Sequence, residues 1–291
     1  MSRLTRLWKK WITPTQITIF SLLSMLSLIF PSVSFAMQSQ TASGETIYAI
    51  VERNRIIQFS SGNSCTVTSS VRIKGLQPGE RLEGIDFRPL TGQLYGLGSK
   101  SRLYTIDLAS GVATQVGAPF STPLNGTLFG FDFNPTVDRI RVVSDTGQNL
   151  RLHPDTGAVA AVDFSLAYAS TDVNAGASLF VNGAAYTNPD NDPTTGTTLY
   201  DIDTSLDILA SQVPPNDGVL NTIGTLGLSV NEPAGFDISL SGMAYAALQT
   251  SDTSGKCAPT KLFTIDLTTG TATLIGGIGV SEHILGIAVA P

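Results

Sequence analysis

A closed all-β ring, a β-propeller of five four-stranded blades, is the fold that this sequence predicts, on three observations. A short pattern, Gly84-Ile85-Asp86-Phe87, returns as Gly130-Phe131-Asp132-Phe133, Gly183-Ala184-Ala185-Tyr186, Gly235-Phe236-Asp237-Ile238 and Gly286-Ile287-Ala288-Val289, at intervals of 46, 53, 52 and 51 residues. A period near fifty is the length of one propeller blade with its loops. The segments between repeats are short β-branched or aromatic runs parted by glycine turns, which is strand composition. The chain ends are complementary: 47–51, 56–59 and 66–73 match second, third and fourth strands with no first strand before them, and 286–289 is a first strand with nothing after it. A tail strand that completes the blade begun by the head closes the ring and removes its open edges.

Residues 1–36 read as a signal peptide. Arg3, Arg6, Lys9 and Lys10 form a basic head, 17–30 is apolar, and Ser34-Phe35-Ala36 puts small side chains where signal peptidase needs them, so cleavage is expected after Ala36. As a helix the apolar run would rise only about 21 Å, short of a hydrocarbon core of roughly 30 Å. Residues 37–45 are expected as a flexible lead-in and 46–291 as a single propeller domain, with no membrane span after cleavage. Second strands follow the repeats at 93–97, 139–143 and 243–247, and third strands at 103–107, 150–153, 199–203 and 262–266. Turns at Ala109-Ser110-Gly111, Asp155-Thr156-Gly157 and Thr268-Thr269-Gly270 then lead to fourth strands at 112–116, 158–162 and 272–275. In the third repeat 208–213 reads as an extra strand and 219–223 as the fourth. Six blades is the alternative count, and a β-sandwich the alternative architecture; the sandwich does not predict complementary termini.

Composition narrows the function. With 17 basic and 23 acidic residues the formal charge is −6, so a surface that tracks nucleic-acid phosphates is excluded. The leader and the acidic surface point to an exported protein, periplasmic or extracellular and monomeric, with a small-molecule or protein ligand. Cys65 and Cys257 lie in a compartment that permits a disulfide, but the strand order places them toward opposite faces, which disfavours the bridge.

Propeller topology puts the connections from second to third strand, and from fourth strand to the next first strand, on one face. The connections 118–128, 163–181, 188–196, 224–234 and 248–260 are assigned to it, and long loops on a rigid frame carry binding sites. On that face Asp172 and Asn174 make one polar loop and Asn188, Asp190 and Asp192 another, with a pocket expected between them. Asp190 and Asp192 offer the hard oxygens that calcium takes, although Asp, Asn and Pro are equally ordinary turn formers. Arg139, Arg141 and Arg151 gather on paired strands of the second blade, either as an anion site of guanidinium forks or as an ion-pair lattice in which Arg141 or Arg151 meets Asp132 or Asp86.

Catalytic inventory is thin. His153 and His283 are the two histidines, and no nucleophile elbow or Gly-rich phosphate loop with a lysine is present. A binding or scaffolding module is the first reading. The alternative is a calcium-dependent hydrolase of the lactonase or esterase type, with Asp86, Asp132 and Asp237 around the axis, although those three also repeat if each blade needs the same hydrogen bond.

Several blocks in order, Gly130-Phe131-Asp132-Phe133-Asn134-Pro135, Asp138-Arg139-Ile140-Arg141-Val142-Val143, Asn149-Leu150-Arg151-Leu152, Asp172-Val173-Asn174-Ala175-Gly176 and Ala185-Tyr186-Thr187-Asn188, resemble the bacterial exported family catalogued as domain of unknown function 4394. The resemblance covers nearly all of the chain after residue 36. His153 departs from it, standing where similar chains have Asn before Pro-Asp-Thr-Gly. It implies a domain but no activity, and no catalytic residue is carried over.

Overall fold

The computed structural model describes residues 44–251, 257 and 259–291. The leader at 1–36 and most of the lead-in lie outside the described residues. Glu45, expected within the lead-in, is tied down: its N–H donates to Ser61 Oγ and its carbonyl accepts the Ser61 N–H at 2.8 Å.

Strands β1 (Thr46–Val51), β2 (Arg55–Ser60) and β3 (Asn63–Arg72) open the chain. The first blade is β4 (Leu82–Phe87), β5 (Leu94–Gly98), β6 (Arg102–Ile106) and β7 (Ala113–Val116). The second is β8 (Phe129–Asn134), β9 (Arg139–Ser144), β10 (Asn149–Leu152) and β11 (Val159–Val162). After the short β12 (Ala167–Tyr168), the third is β13 (Val181–Tyr186), β14 (Leu199–Asp203), β15 (Ile208–Gln212) and β16 (Val219–Thr225). The fourth is β17 (Val230–Ile238), β18 (Ala244–Thr250), β19 (Thr260–Ile265) and β20 (Ala272–Gly277), and β21 (Ile284–Val289) ends the chain. The fifth sheet has the order β21-β1-β2-β3, with Ile47 opposite Val289 and Ala49 opposite Ile287. The ring therefore has five blades, not six, and closes by the tail strand.

Burial follows position in the blade. Innermost strands such as β4 and β13 are buried at every residue, whereas the outer β11 alternates between half-buried and exposed. The core is divided into apolar wedges between neighbouring blades, for example Tyr95, Leu97, Phe131, Phe133, Ile140 and Val142 between the first and second. At the axis the first strands come so close that a side chain is excluded. A Cβ on Gly130 would lie 2.6 Å from Ala184 Cβ and 2.8 Å from Ala184 N, and one on Gly84 would lie 2.6 Å from Phe131 Cβ. This close approach is the physical reason for the glycine that opens the first two repeats, and a tighter-than-usual 3.0 Å contact acts at Gly183 and Gly235.

The third blade corrects the sequence reading. Strand β14 is its second strand and β15 its third, so 208–213 is no extra element. The connection 187–198 consequently joins a first strand to a second and lies on the opposite face from the one expected. A long insertion in that hairpin displaced the register of the repeat.

Cys65 and Cys257 are joined, with a Cα–Cα distance of 5.6 Å, contrary to the expectation. Sheets twist, and by the outermost strand a blade has swung toward its neighbour, which brings the two cysteines together. At successive seams the far end of one fourth strand meets the outer hairpin of the next blade. Lys74 N–H donates to Gly111 O, Ala272 N–H to Leu226 O, and Gly279 N–H to Ser64 O. The bridge sits at the last of these seams and spans 192 residues. A loop of that size corresponds to about 5 kcal/mol in the chain-entropy account.

Candidate functional site

Three first-strand carboxylates, Asp86, Asp132 and Asp237, converge on the axis with ligand-capable oxygens within 4.8 Å of one another, and all three are buried. Each reaches the next blade. Asp86 accepts the Phe133 N–H at 2.8 Å, Asp132 the Tyr186 N–H at 3.0 Å, and Asp237 the Val289 N–H. Where the preceding blade has Ala288 or Ala185 in the equivalent place, the N–H of Phe87 or Ile238 is taken instead by the adjoining Asp86 or Asp237, each at 2.6 Å. The carboxylates therefore act as clasps between inner strands, the role that repetition alone suggested. The hollow at this end of the axis, lined by Phe87, Pro189, Leu240 and Pro291, is only about 20 Å³, room for about one water.

Burial raises the pKa values of the clasps, making them weaker acids. Asp237 is pushed up to about 7, and Asp86 and Asp132 are pushed well above the carboxylate range by burial first and then by neighbouring carboxylates. Groups whose pKa is raised on folding hold protons that the unfolded chain has released above pH 3.8, so stability falls as pH rises toward 7 and beyond. The melting temperature is expected to be higher at pH 5 than at pH 8, and Asp237→Asn should flatten that slope; thermal scans across the interval read it directly.

A second and larger cleft, of about 140 Å³, opens at the lower edge of the second and third blades. It brings together Arg139, Arg141 and Arg151, all of them expected, with Asn134, Tyr186 and Asn216. Strand pairing makes the row: Arg141 on β9 stands opposite both Asp132 on β8 and Arg151 on β10. Alternation puts Arg139 on the same side as Arg141. Asn216 arrives from the third blade on a 3-10 turn, Pro215–Asp217, whose Pro215 carbonyl accepts the side-chain amides of Asn149 and Gln212.

Arg141, 1% exposed, is almost saturated. It donates to Asn149 Oδ1 at 2.6 Å, Asp163 Oδ2 at 2.7 Å, Asn216 Oδ1 at 2.8 Å and the Tyr186 hydroxyl at 3.3 Å. Arg151 grips both oxygens of Asp163 at 2.7 and 2.8 Å, which raises its own pKa. The expected lattice thus exists, but its acid is Asp163 rather than Asp132 or Asp86, because the axial carboxylates are occupied by backbone N–H groups. Arg139 donates through Nη1 to the carbonyls of Val137 and Asp138, and its Nε and Nη2 meet no acceptor among the described residues. Arg151 Nη1 is likewise unengaged there. Neighbouring Asp138 and Asp155 are held by Arg88. The phenol oxygen of Tyr186 accepts from Arg141 and from the Asn134 side chain, so its own proton is left to donate. Burial raises the pKa of that phenol, keeping it protonated.

The other expected site residues do not assemble. Asp172 binds the middle of β16, accepting the Thr222 N–H and hydroxyl at 2.7 Å each, and Asn174 donates to the same hydroxyl. Asn188, Asp190 and Asp192 lie in the 187–198 hairpin on the other face. Asp190 accepts the Asp192 N–H, Asp192 accepts from Thr194, and Asn188 donates to the Gly196 carbonyl. The two loops lie on opposite faces of the ring. His283 pairs with Gln249 and His153 with the Asp155 N–H, both outside the cleft. The sequence reading names none of Asp163, Asn216 and Tyr186 as site residues: Asp163 lies just past the outer strand of the second blade, and Asn216 and Tyr186 come from the third blade across the seam.

A family model described as Domain of unknown function (DUF4394) matches residues 55–288. The chain belongs to this family. No curated protein matches the sequence. Among solved structures, the chain is similar to a structural genomics protein of unknown function from Bacteroides thetaiotaomicron VPI-5482, with 15% identity and a TM-score of 0.50, covering 83% of this chain and 60% of that one. It is also similar to a chain of the nidogen/laminin complex, with 13% identity and a TM-score of 0.50, covering 85% of this chain and 99% of that one. This chain thus spans less than two thirds of the Bacteroides protein. At such identities the likeness is one of fold, and DUF4394 carries no assigned activity.

Proposed function

We propose that this DUF4394 protein is an exported, non-catalytic binding module that holds a small oxyanion, carboxylate, sulfate or phosphate in type, in the arginine cleft between its second and third blades. One observation carries the reading: Arg139, Arg141 and Arg151 line a single cleft of about 140 Å³ with no carboxylate in its lining among the described residues, Asp163 being paired to Arg141 and Arg151 and Asp155 lying within electrostatic reach of Arg139, in a chain whose formal charge is −6. An isolated excess of positive charge in an acidic protein favours an anionic ligand, and guanidinium forks match oxyanions in two-point geometry. The unengaged donors of Arg139, Arg151 and Tyr186 converge there. The axial carboxylates, by contrast, are engaged in holding blades together, which supports binding over hydrolysis. Export is supported by the basic and apolar leader and by the Cys65–Cys257 bridge.

Isothermal titration with sulfate at pH 6.5 tests the site. Saturable binding is expected, and replacing both Arg139 and Arg151 with Ala should weaken it at least tenfold while the melting curve stays cooperative. Binding that ignores both substitutions would overturn the assignment.

A further inference from the structure

Behind the cleft lies a group that the anion site does not use. Asp201, on β14, is fully buried, and neither of its carboxyl oxygens meets a donor among the described residues. It stands opposite Ala184 on β13 and Ala210 on β15, so it shares a sheet face with Gln212, two residues further along β15. The Gln212 Oε1 is also buried and without a partner, while its Nε2 donates to the Pro215 carbonyl beneath Asn216. Three acceptor oxygens therefore share one layer with no donor between them.

A buried carboxylate in that position is costly, whereas the same carboxyl carrying its proton becomes a donor within reach of a diagonal neighbour's carbonyl. The charged and titratable groups around it are few. From β9, Arg141 draws Asp201 toward ionisation. On β14 itself Asp203 opposes ionisation, and it already accepts the Tyr168 hydroxyl from β12 and the N–H groups of Phe180 and Ser205. Strand β13 brings Tyr186, whose hydroxyl is on Arg141, and β15 and β16 bring no titratable side chain. Burial outweighs the attraction of Arg141, and the Asp201 carboxyl is pushed up to about 8.

We propose that Asp201 is the proton-dependent regulator of the anion cleft: with its proton in place Arg141 directs its charge at the ligand, and loss of that proton sets a carboxylate behind Arg141 and releases the anion. This rests on the anion reading above. The sign is definite. Affinity is full below the Asp201 pKa and declines as pH rises through it, and a bound anion in turn favours the protonated carboxyl by reciprocal linkage. Asp201→Asn holds the site in its low-pH state, because the amide keeps a donor toward Gln212 and cannot ionise.

Sulfate is the probe, since its charge does not change between pH 6.5 and 9.5. Calorimetry on the full chain should give sulfate binding on the order of tenfold weaker at pH 9.5 than at pH 6.5. Asp201→Asn should bind at both values with the affinity that the unsubstituted protein has at pH 6.5. The infrared spectrum of the unsubstituted protein minus that of the variant should show one protonated-carboxyl band at pH 6.5, beyond those that the axial aspartates give in both, and that band should disappear by pH 9.5. Equal sulfate affinity at both pH values in the unsubstituted chain, or the same decline in Asp201→Asn, would overturn the proposal and leave the anion site standing. No sulfate binding at pH 6.5 in either protein would overturn the anion site and the proposal with it.

Discussion

Gly130→Val is expected to destabilise the protein by more than about 3 kcal/mol, a large part of the roughly 5–15 kcal/mol that holds a typical domain folded. The added side chain would begin 2.6 Å from Ala184 Cβ and 2.8 Å from its backbone nitrogen, and the first strands of the second and third blades would have to part. They cannot do so independently, because Asp132 of the second blade clasps the Tyr186 N–H of the third. Urea unfolding measures the loss, and Gly196→Val is the control: its Cβ meets nothing within 4 Å, and stability should be unchanged within about 0.5 kcal/mol. Equal effects at the two positions would mean that the inner strands are not packed as tightly as the glycine ring requires.

Much of this architecture is legible in the sequence because the constraint at the axis repeats. Gly84 and Gly130 stand where a Cβ cannot be placed, Gly183 and Gly235 where it would be tight at 3.0 Å, and Asp86, Asp132 and Asp237 recur where a carboxylate can span two blades. The arginine row was legible for a related reason: alternation and pairing place Arg139, Arg141 and Arg151 together once β9 and β10 are known. Illegible features arise where the repeat is interrupted or where blades meet at their outer edges. The 187–198 insertion hid the second strand of the third blade, and with it the face of Asn188, Asp190 and Asp192. Cys65 and Cys257 were separated by a flat picture of blades that in fact twist. Asn216 reaches Arg141 across a seam from 75 residues away, and Asp163 reaches it from just beyond the outer strand of the same blade, 22 residues away.

Removal of β21 should have the other large effect. That strand buries Ile284, Ile287, Ala288 and Val289 and supplies the N–H that Asp237 clasps, so its apolar contribution alone is roughly 5–10 kcal/mol. Without it the edge of β1 would be uncovered and β17 would lose the strand packed against it, and a chain ending at residue 281 should lose the cooperative ring and self-associate. Adding a synthetic peptide of residues 282–291 should restore monomeric, cooperative unfolding.

Closure by the tail orders the blades around the ring, and the ring sets the second blade against the third so that Arg139, Arg151 and Asn216 share one cleft. Hydrogen exchange across residues 46–51 of the full chain reads that closure most directly. Protection of β1 equal to that of β18, lost when residues 282–291 are deleted and regained with the peptide, is the expected result. Exchange of β1 at the rate of a free segment while β18 stays protected would contradict it.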